Sequence, residues 1–278
     1  IDNGQRTYLI QIQVRGKKQA SNTAMDTISI ILVILLGLSC GSFINAWIYR
    51  TEKKESLLGR SHCPTCNIEL SWRDNIPVIS FIVLKKQCRH CKKSISWQYP
   101  IIELWTMFAF IYTFVTHDLQ FTPELVRDGY IVILLTFIFV YDLKYQYILD
   151  KITLPAISIL IVLNLIFSWM SPTNMLISIA VGGGFFLLQY VVSKGRWIGG
   201  GDIRLGVLMG VILGWPYVIV GIFLAYIIGL ITVTPLLLAR KKHMGEQIPF
   251  GTYLSVATLI CMFHGEYLLT TYLSLWTF

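Results

Sequence analysis

The run Ile131-Val-Ile-Leu-Leu-Thr-Phe-Ile-Phe-Val-Tyr-Asp142 is apolar for most of its length and stops on a carboxylate. It closes a longer segment, about 124–142, and similar segments recur along the chain at about 26–48, 100–116, 152–170, 174–193, 203–215, 217–239 and 252–275. Several of these match or exceed the roughly 20 residues that an α-helix needs to cross a bilayer. The sixth is short and contains glycine, and the eighth is interrupted by His264, Gly265 and Glu266. The chain is 55% hydrophobic and 14% charged over 278 residues, whereas a soluble domain carries about 25% charged residues. These features predict an all-α polytopic membrane protein of about eight transmembrane helices, with Gly182, Gly183 and Gly184 letting helices approach closely in lipid.

The net charge of +8 raises nucleic acid as a partner, but its distribution points to topology instead. If the first span runs inward, the inside segments 50–99, 143–151, 194–204 and 240–251 hold 18 Lys and Arg residues, and the outside segments after residue 25 hold only Arg127. That bias follows the positive-inside rule and sets the orientation. Residues 1–24 are polar, carry Arg15, Lys17 and Lys18, and precede Met25; they read as a non-core leader or appended extension. The apolar run after Met25 reaches Gly41, Ser42 and Asn45 without an A-x-A-like cleavage site, so 25–50 is expected to remain as the first transmembrane helix. Residues 51–99 form a cytoplasmic loop domain, and 100–278 form the transmembrane core. A loop of 49 residues is too small to bury much core unaided.

Its cysteines supply a staple. Cys63-Pro-Thr-Cys66 and Cys88-Arg-His-Cys91 make C-x2-C-x21-C-x2-C, two knuckles whose thiolates can close a tetrahedral structural zinc site. Lys85, Lys86, Arg89, Lys92 and Lys93 favour thiolate over thiol. The alternative, two disulfides, is disfavoured in a reducing cytoplasm. His62 and His90 flank the knuckles but are not needed for four-coordination, and Cys40 and Cys261 lie in apolar spans as packing residues.

Ionisable groups at membrane depth are costly and are functional candidates by default. After Met25 these are Glu103, Asp142, Asp150 and Asp202, with Asp26 and Glu266 near outer ends. Asp202 follows Gly199-Gly-Gly201 where the sixth span begins, so both Asp142 and Asp202 fall at the cytoplasmic boundary. Taken singly, Asp142 could be a helix end meeting water, and G-x-G-D a loop or helix cap. Taken together on one face, they suit hydrolysis by two carboxylates. One ionised group takes a proton from water while a protonated one polarises the carbonyl, and close approach with partial burial splits their pKa values. The glycines before Asp202 leave room for an extended substrate backbone.

Several motifs together carry a family resemblance. Gly41-Ser-Phe-Ile-Asn-Ala-Trp-Ile-Tyr-Arg50, the cysteine loop with Leu70-Ser-Trp-Arg-Asp-Asn-Ile-Pro77 between its knuckles, Ser94-Ile-Ser-Trp-Gln-Tyr-Pro100 with Glu103, the D-x7-D of Asp142 and Asp150, the G-x-G-D ending at Asp202, and Ile248-Pro-Phe-Gly251 occur in unbroken order. This order resembles type IV prepilin peptidases from about residue 37 to 265. The resemblance implies a multi-pass aspartyl protease of the inner membrane whose active site faces the cytoplasm. It would cut the basic leader of type IV prepilins or pseudopilins after glycine and N-methylate the new terminus with S-adenosylmethionine. It assigns Asp142 and Asp202 as the catalytic pair and Asp150 as an accessory acid and second choice for the dyad. No nucleic-acid partner is expected. Tyr141 before Asp142 also resembles the Y-D of presenilin-like proteases. Asn67 and Lys92 depart from the family's usual glycine, and Leu149 and Thr252 from its proline. Two other readings remain: a zinc-stapled transporter or scaffold with proton-relaying aspartates, and a presenilin-like protease that cuts within apolar spans.

Overall fold

The computed structural model describes residues 3–239 and 248–275, with side chains from residue 26 onward except 236 and 237. The side chains of the polar stretch 1–24, and Arg240, Lys241 and Lys242 of the orientation argument, lie outside the described residues. Helices dominate, and among the described residues pairing between strands is limited to two isolated bridges, His62 with Glu69 and Gln87 with Ser94. Every expected span is helical. The helices are α1 (Asn3–Lys53), α3 (Gln98–Thr116), α4 (Pro123–Tyr145), α5 (Asp150–Phe167), α6 (Pro172–Ser193), α7 (Gly200–Leu213), α8 (Tyr217–Leu238) and α9 (Phe250–Ser274); a single turn, α2 (Ile79–Val83), lies in the loop. The helix of α1 runs back through residues expected to lie outside the fold, and its span-like part is Asp26–Lys53.

Six of these helices are long and apolar enough to cross a membrane: α1, α3, α5, α6, α8 and α9. The two remaining expected spans are exceptions for physical reasons. Helix α4 has the length but carries Glu124, Arg127, Asp128, Asp142 and Lys144 at its ends. Helix α7 has 14 residues and rises about 21 Å, less than the roughly 30 Å of hydrocarbon. These two helices carry Asp142 and Asp202. The expected interruption at His264-Gly265-Glu266 is absent, because α9 continues through it. Gly265 is buried where a Cβ would stand 3.2 Å from Tyr217 Cδ1, while His264 and Glu266 point outward.

The chain divides into two compact units, residues 1–133 and 134–278. In the first, α1 and α3 cross backbone to backbone. A Cβ on Gly37 would lie 2.7 Å from Met107 Cα, and one on Gly41 would lie 2.6 Å from Glu103 Cα. Thr106 Oγ1 donates to Gly37 O at 2.8 Å across the crossing. This explains the small residues of the 41–50 motif, whose polar members hold the loop: Asn45 Nδ2 donates to Tyr99 O at 3.2 Å, and Arg50 donates to the carbonyls of Leu57 and Gly59. Buried Glu103 accepts the Val78 N–H at 2.7 Å, fixing the far side of the loop to the start of α3.

In the second unit the short α7 is the centre, packed on α5, α6, α8 and α9. Leu205, Leu208 and Met209 are fully buried. Gly206 faces Gly182 so closely that neither accepts a side chain, and Ser178 Oγ donates to Gly210 O at 2.8 Å. Gly183 also packs tightly, against Val207, whereas Gly184 meets nothing within 4 Å and plays no part in the close approach. A short helix is tolerated at membrane depth when protein surrounds it.

Candidate active site and metal centre

In the first unit the four knuckle cysteines converge, each offering one sulfur, with all four sulfurs within 4.8 Å of one another. Cys63 Sγ and Cys91 Sγ are 3.8 Å apart. Tetrahedral Zn–S bonds of about 2.3 Å require S···S separations of about 3.8 Å, so this set fits a zinc ion. Each knuckle is a tight backbone loop, with Asn67 N–H donating to Cys63 O at 2.9 Å and Lys92 N–H to Cys88 O at 3.1 Å. Asn67 and Lys92, where the resembling family has glycine, adopt positive φ of 55° and 59°. Glycine is the natural residue there, and this chain tolerates the conformation without it. Burial pushes the Cys63 thiol up, but the backbone N–H groups of Cys66 and Thr65 together with the neighbouring Cys66 and Cys88 thiols outweigh it and lower its pKa to about 7. His62 turns to Glu55 at 3.6 Å and to the Tyr49 ring, outside the sulfur set. Cys40 and Cys261 are unpaired thiols that do not belong to the set. Arg89 donates twice to Asp74 Oδ1, bracing the second knuckle on the segment between the two and holding that carboxyl below its usual range.

In the second unit Asp142 and Asp202 are both buried, at 4% and 7% exposure. Asp142, in the last turn of α4, accepts the Thr252 N–H at 2.9 Å on Oδ2, from the first turn of α9. Asp202, the third residue of α7, accepts the Gly199 N–H at 3.0 Å on Oδ2, while its own N–H returns to Gly199 O at 3.1 Å. The carboxylate is therefore held by its own helix start. Ile148 packs between the two anchors: a Cβ on Gly201 would lie 2.8 Å from Ile148 Cβ, and one on Gly251 would lie 3.0 Å from Ile148 Cδ1 and 2.9 Å from Asp142 Oδ2. Gly200, by contrast, is exposed with nothing within 4 Å, an open approach beside Asp202.

Asp150 does not join the pair. Its Oδ1 lies 2.6 Å from Arg204 Nη1, a charge contact without hydrogen-bond geometry that links the start of α5 to α7. Glu103 belongs to the other unit and serves the loop. Sequence reasoning missed Arg204, Ile148 and the part played by residue 252. Arg204 carried a signal, being a cation two residues after Asp202 at membrane depth; Ile148 carried none. Thr252 supplies an N–H that the proline of the resembling motif would lack.

Two family models match the chain: the bacterial peptidase A24 N-terminal domain over residues 35–117, which include all four knuckle cysteines, and the type IV leader peptidase family over 129–234, which include Asp142 and Asp202. A prepilin leader peptidase/N-methyltransferase of Vibrio cholerae is 30% identical over 211 residues, covering 70% of this chain and 81% of the relative. Proteins of the same description from Pseudomonas aeruginosa and Aeromonas salmonicida are 29% and 28% identical, covering 88% and 87% of this chain and 93% of each relative. No solved structure matches.

Proposed function

Because the chain belongs to the type IV leader peptidase family, we propose that it cleaves the leader of prepilins or pseudopilins and N-methylates the terminus so exposed. It is a multi-pass membrane protein. In this reading Asp142 and Asp202 are the catalytic pair, acting at the cytoplasmic face of the inner membrane. The observation that supports the pair most is geometric: two carboxylates 60 residues apart in sequence are both buried, and Ile148 packs against Gly201 next to Asp202 and against Gly251 next to Asp142.

The chemistry follows from that arrangement. Two buried carboxylates close together cannot both ionise cheaply, so they share one proton. The ionised member accepts a proton from water as the water attacks the scissile carbonyl. The protonated member donates to the carbonyl oxygen, and the proton then passes to the leaving amine. Thr252 N–H and Gly199 N–H fix the orientation of each carboxylate. Ile148, Gly201 and Gly251 exclude water from one side of the pair and leave the side near Gly200 open to an extended chain. Asp150, neutralised by Arg204, positions α5 against α7.

Zinc held by Cys63, Cys66, Cys88 and Cys91 would supply structure to the loop, with no open position for catalysis. S-adenosylmethionine would supply the methyl group. The test is incubation of the purified chain with a prepilin, with and without S-adenosylmethionine, and mass mapping of the products. Cleavage after the leader glycine and a gain of one methyl only with the donor are expected. An intact prepilin, a cut within its apolar helix, or a processed pilin left unmethylated with the donor present would count against the reading.

A further inference from the structure

Helix α2 is a single turn that turns Phe81 inward and leaves Ile79, Ile82 and Val83 exposed at 57%, 67% and 67%. The spacing i, i+3, i+4 puts these three on one face. Three adjacent branched aliphatic side chains on one face mark an interaction surface.

Two observations say what covers this face. The first is continuity. The Phe81 ring lies 5.0 Å from that of Trp97, at the start of α3. From Trp97 an exposed apolar stripe runs down α3 through Ile101, Trp105 and Phe108. These residues repeat at helical spacing along a helix long and apolar enough to span the membrane, so the stripe suits a lipid-facing side, and the Phe81–Trp97 contact sets α2 beside its upper end. The second is charge. From residue 76 to 97 the loop has no acidic residue, and Lys85 and Lys86 follow the Leu84 cap of α2, with Lys86 Nζ 4.3 Å from the Trp97 ring centroid. Tryptophan with lysine at the end of an apolar stripe is the pattern of a membrane–water interface, and basic clusters there attract anionic headgroups.

We propose that α2 is an interfacial anchor that lays the cysteine-knuckle loop on an anionic bilayer surface at the N-terminal end of α3. Ile79, Ile82 and Val83 enter the headgroup–acyl boundary, and Lys85 and Lys86 meet lipid phosphates. The buried Glu103–Val78 hydrogen bond ties the anchor to the transmembrane helix, so the loop is held at a fixed height above the membrane instead of swinging free in water.

The test uses the full chain in phosphatidylcholine vesicles containing phosphatidylglycerol. Photoreactive benzoylphenylalanine replaces Ile82 or Val83 and, for reference, Asn67 at the tip of the first knuckle; zinc content reports that the loop has folded. Irradiation should give lipid adducts at 82 and 83 at least tenfold above those at 67. Lys85→Gln with Lys86→Gln should shift the adducts from phosphatidylglycerol toward phosphatidylcholine. Adducts at 82 and 83 no more frequent than at 67 would overturn the proposal. So would cross-links there to a second copy of the chain or to an added prepilin.

Discussion

Asp142 and Asp202 each commit one oxygen, Oδ2, to a backbone N–H, and the glycines around them set how far either can shift. Gly251 is the tightest of these constraints, because a methyl group there would stand 2.9 Å from Asp142 Oδ2 and 3.0 Å from Ile148 Cδ1. Gly251→Ala should displace the carboxylate while leaving α9 helical, since its φ is not in the left-handed region. A shift of about 1 Å in a reacting group costs on the order of a hundredfold. We expect prepilin cleavage to fall by about that factor with little change in thermal stability, measured by initial cleavage rates and melting of the purified variant. A Gly251→Ala enzyme of normal rate would mean that the Asp142 carboxylate has freedom the packing denies it. The aspartates were legible in the sequence because a charge beside an apolar run stands out wherever it falls. Their neighbours were not. Ile148 looks like any aliphatic residue in a loop, and its place between Gly201 and Gly251 depends on α7 and α9 meeting in space.

Among the elements, α7 and the knuckles show what spacing can and cannot convey. The convergence of the four cysteines was readable because each C-x2-C pair is a local loop whose thiolates converge whatever surrounds them. The fit of four sulfurs within 4.8 Å supports the same four residues. Purified chain should contain about one zinc, lost in Cys63→Ser or Cys88→Ser by elemental analysis, and the loop should then be cut more readily by added protease. Two disulfides in protein from a reducing cytoplasm would contradict this. The short α7 was legible as a weak span, but its central position was not, since Gly206 against Gly182 and Gly210 against Ser178 are contacts between helices. Asp150 belongs here too, because its partner Arg204 makes it a tie between α5 and α7. Both side chains are more than a third exposed, so the pair contributes little, about 0–1 kcal/mol. Asp150→Asn should slow cleavage only a few-fold. Exchanging the charges, Asp150→Arg with Arg204→Asp, should restore more activity than either change alone retains. An Asp150→Asn enzyme as inactive as one lacking a dyad member would move Asp150 into the chemistry.

Across the whole molecule, long apolar helices carry the chain through lipid, and the two helices least suited to lipid, α4 and α7, carry the aspartates. The membrane class was legible from composition, since 14% charged residues cannot cover a soluble surface of this size. The division of labour between six apolar helices and two compromised ones emerged only when helix lengths and charges were set against bilayer thickness. Helix α1 begins at Asn3, and its span-like part, Asp26–Lys53, starts where the apolar run after Met25 does. The central claim is that Asp142 and Asp202 act as one catalytic unit. Its most direct measurement compares prepilin cleavage rates of Asp142→Asn, Asp202→Asn and the double variant, each purified with full zinc content. Members of a unit that share one proton are not additive. Each single variant should therefore lose several orders of magnitude, and the double variant should lose scarcely more. Near-normal cleavage by either single variant, or losses in the two that multiply in the double, would contradict the assignment.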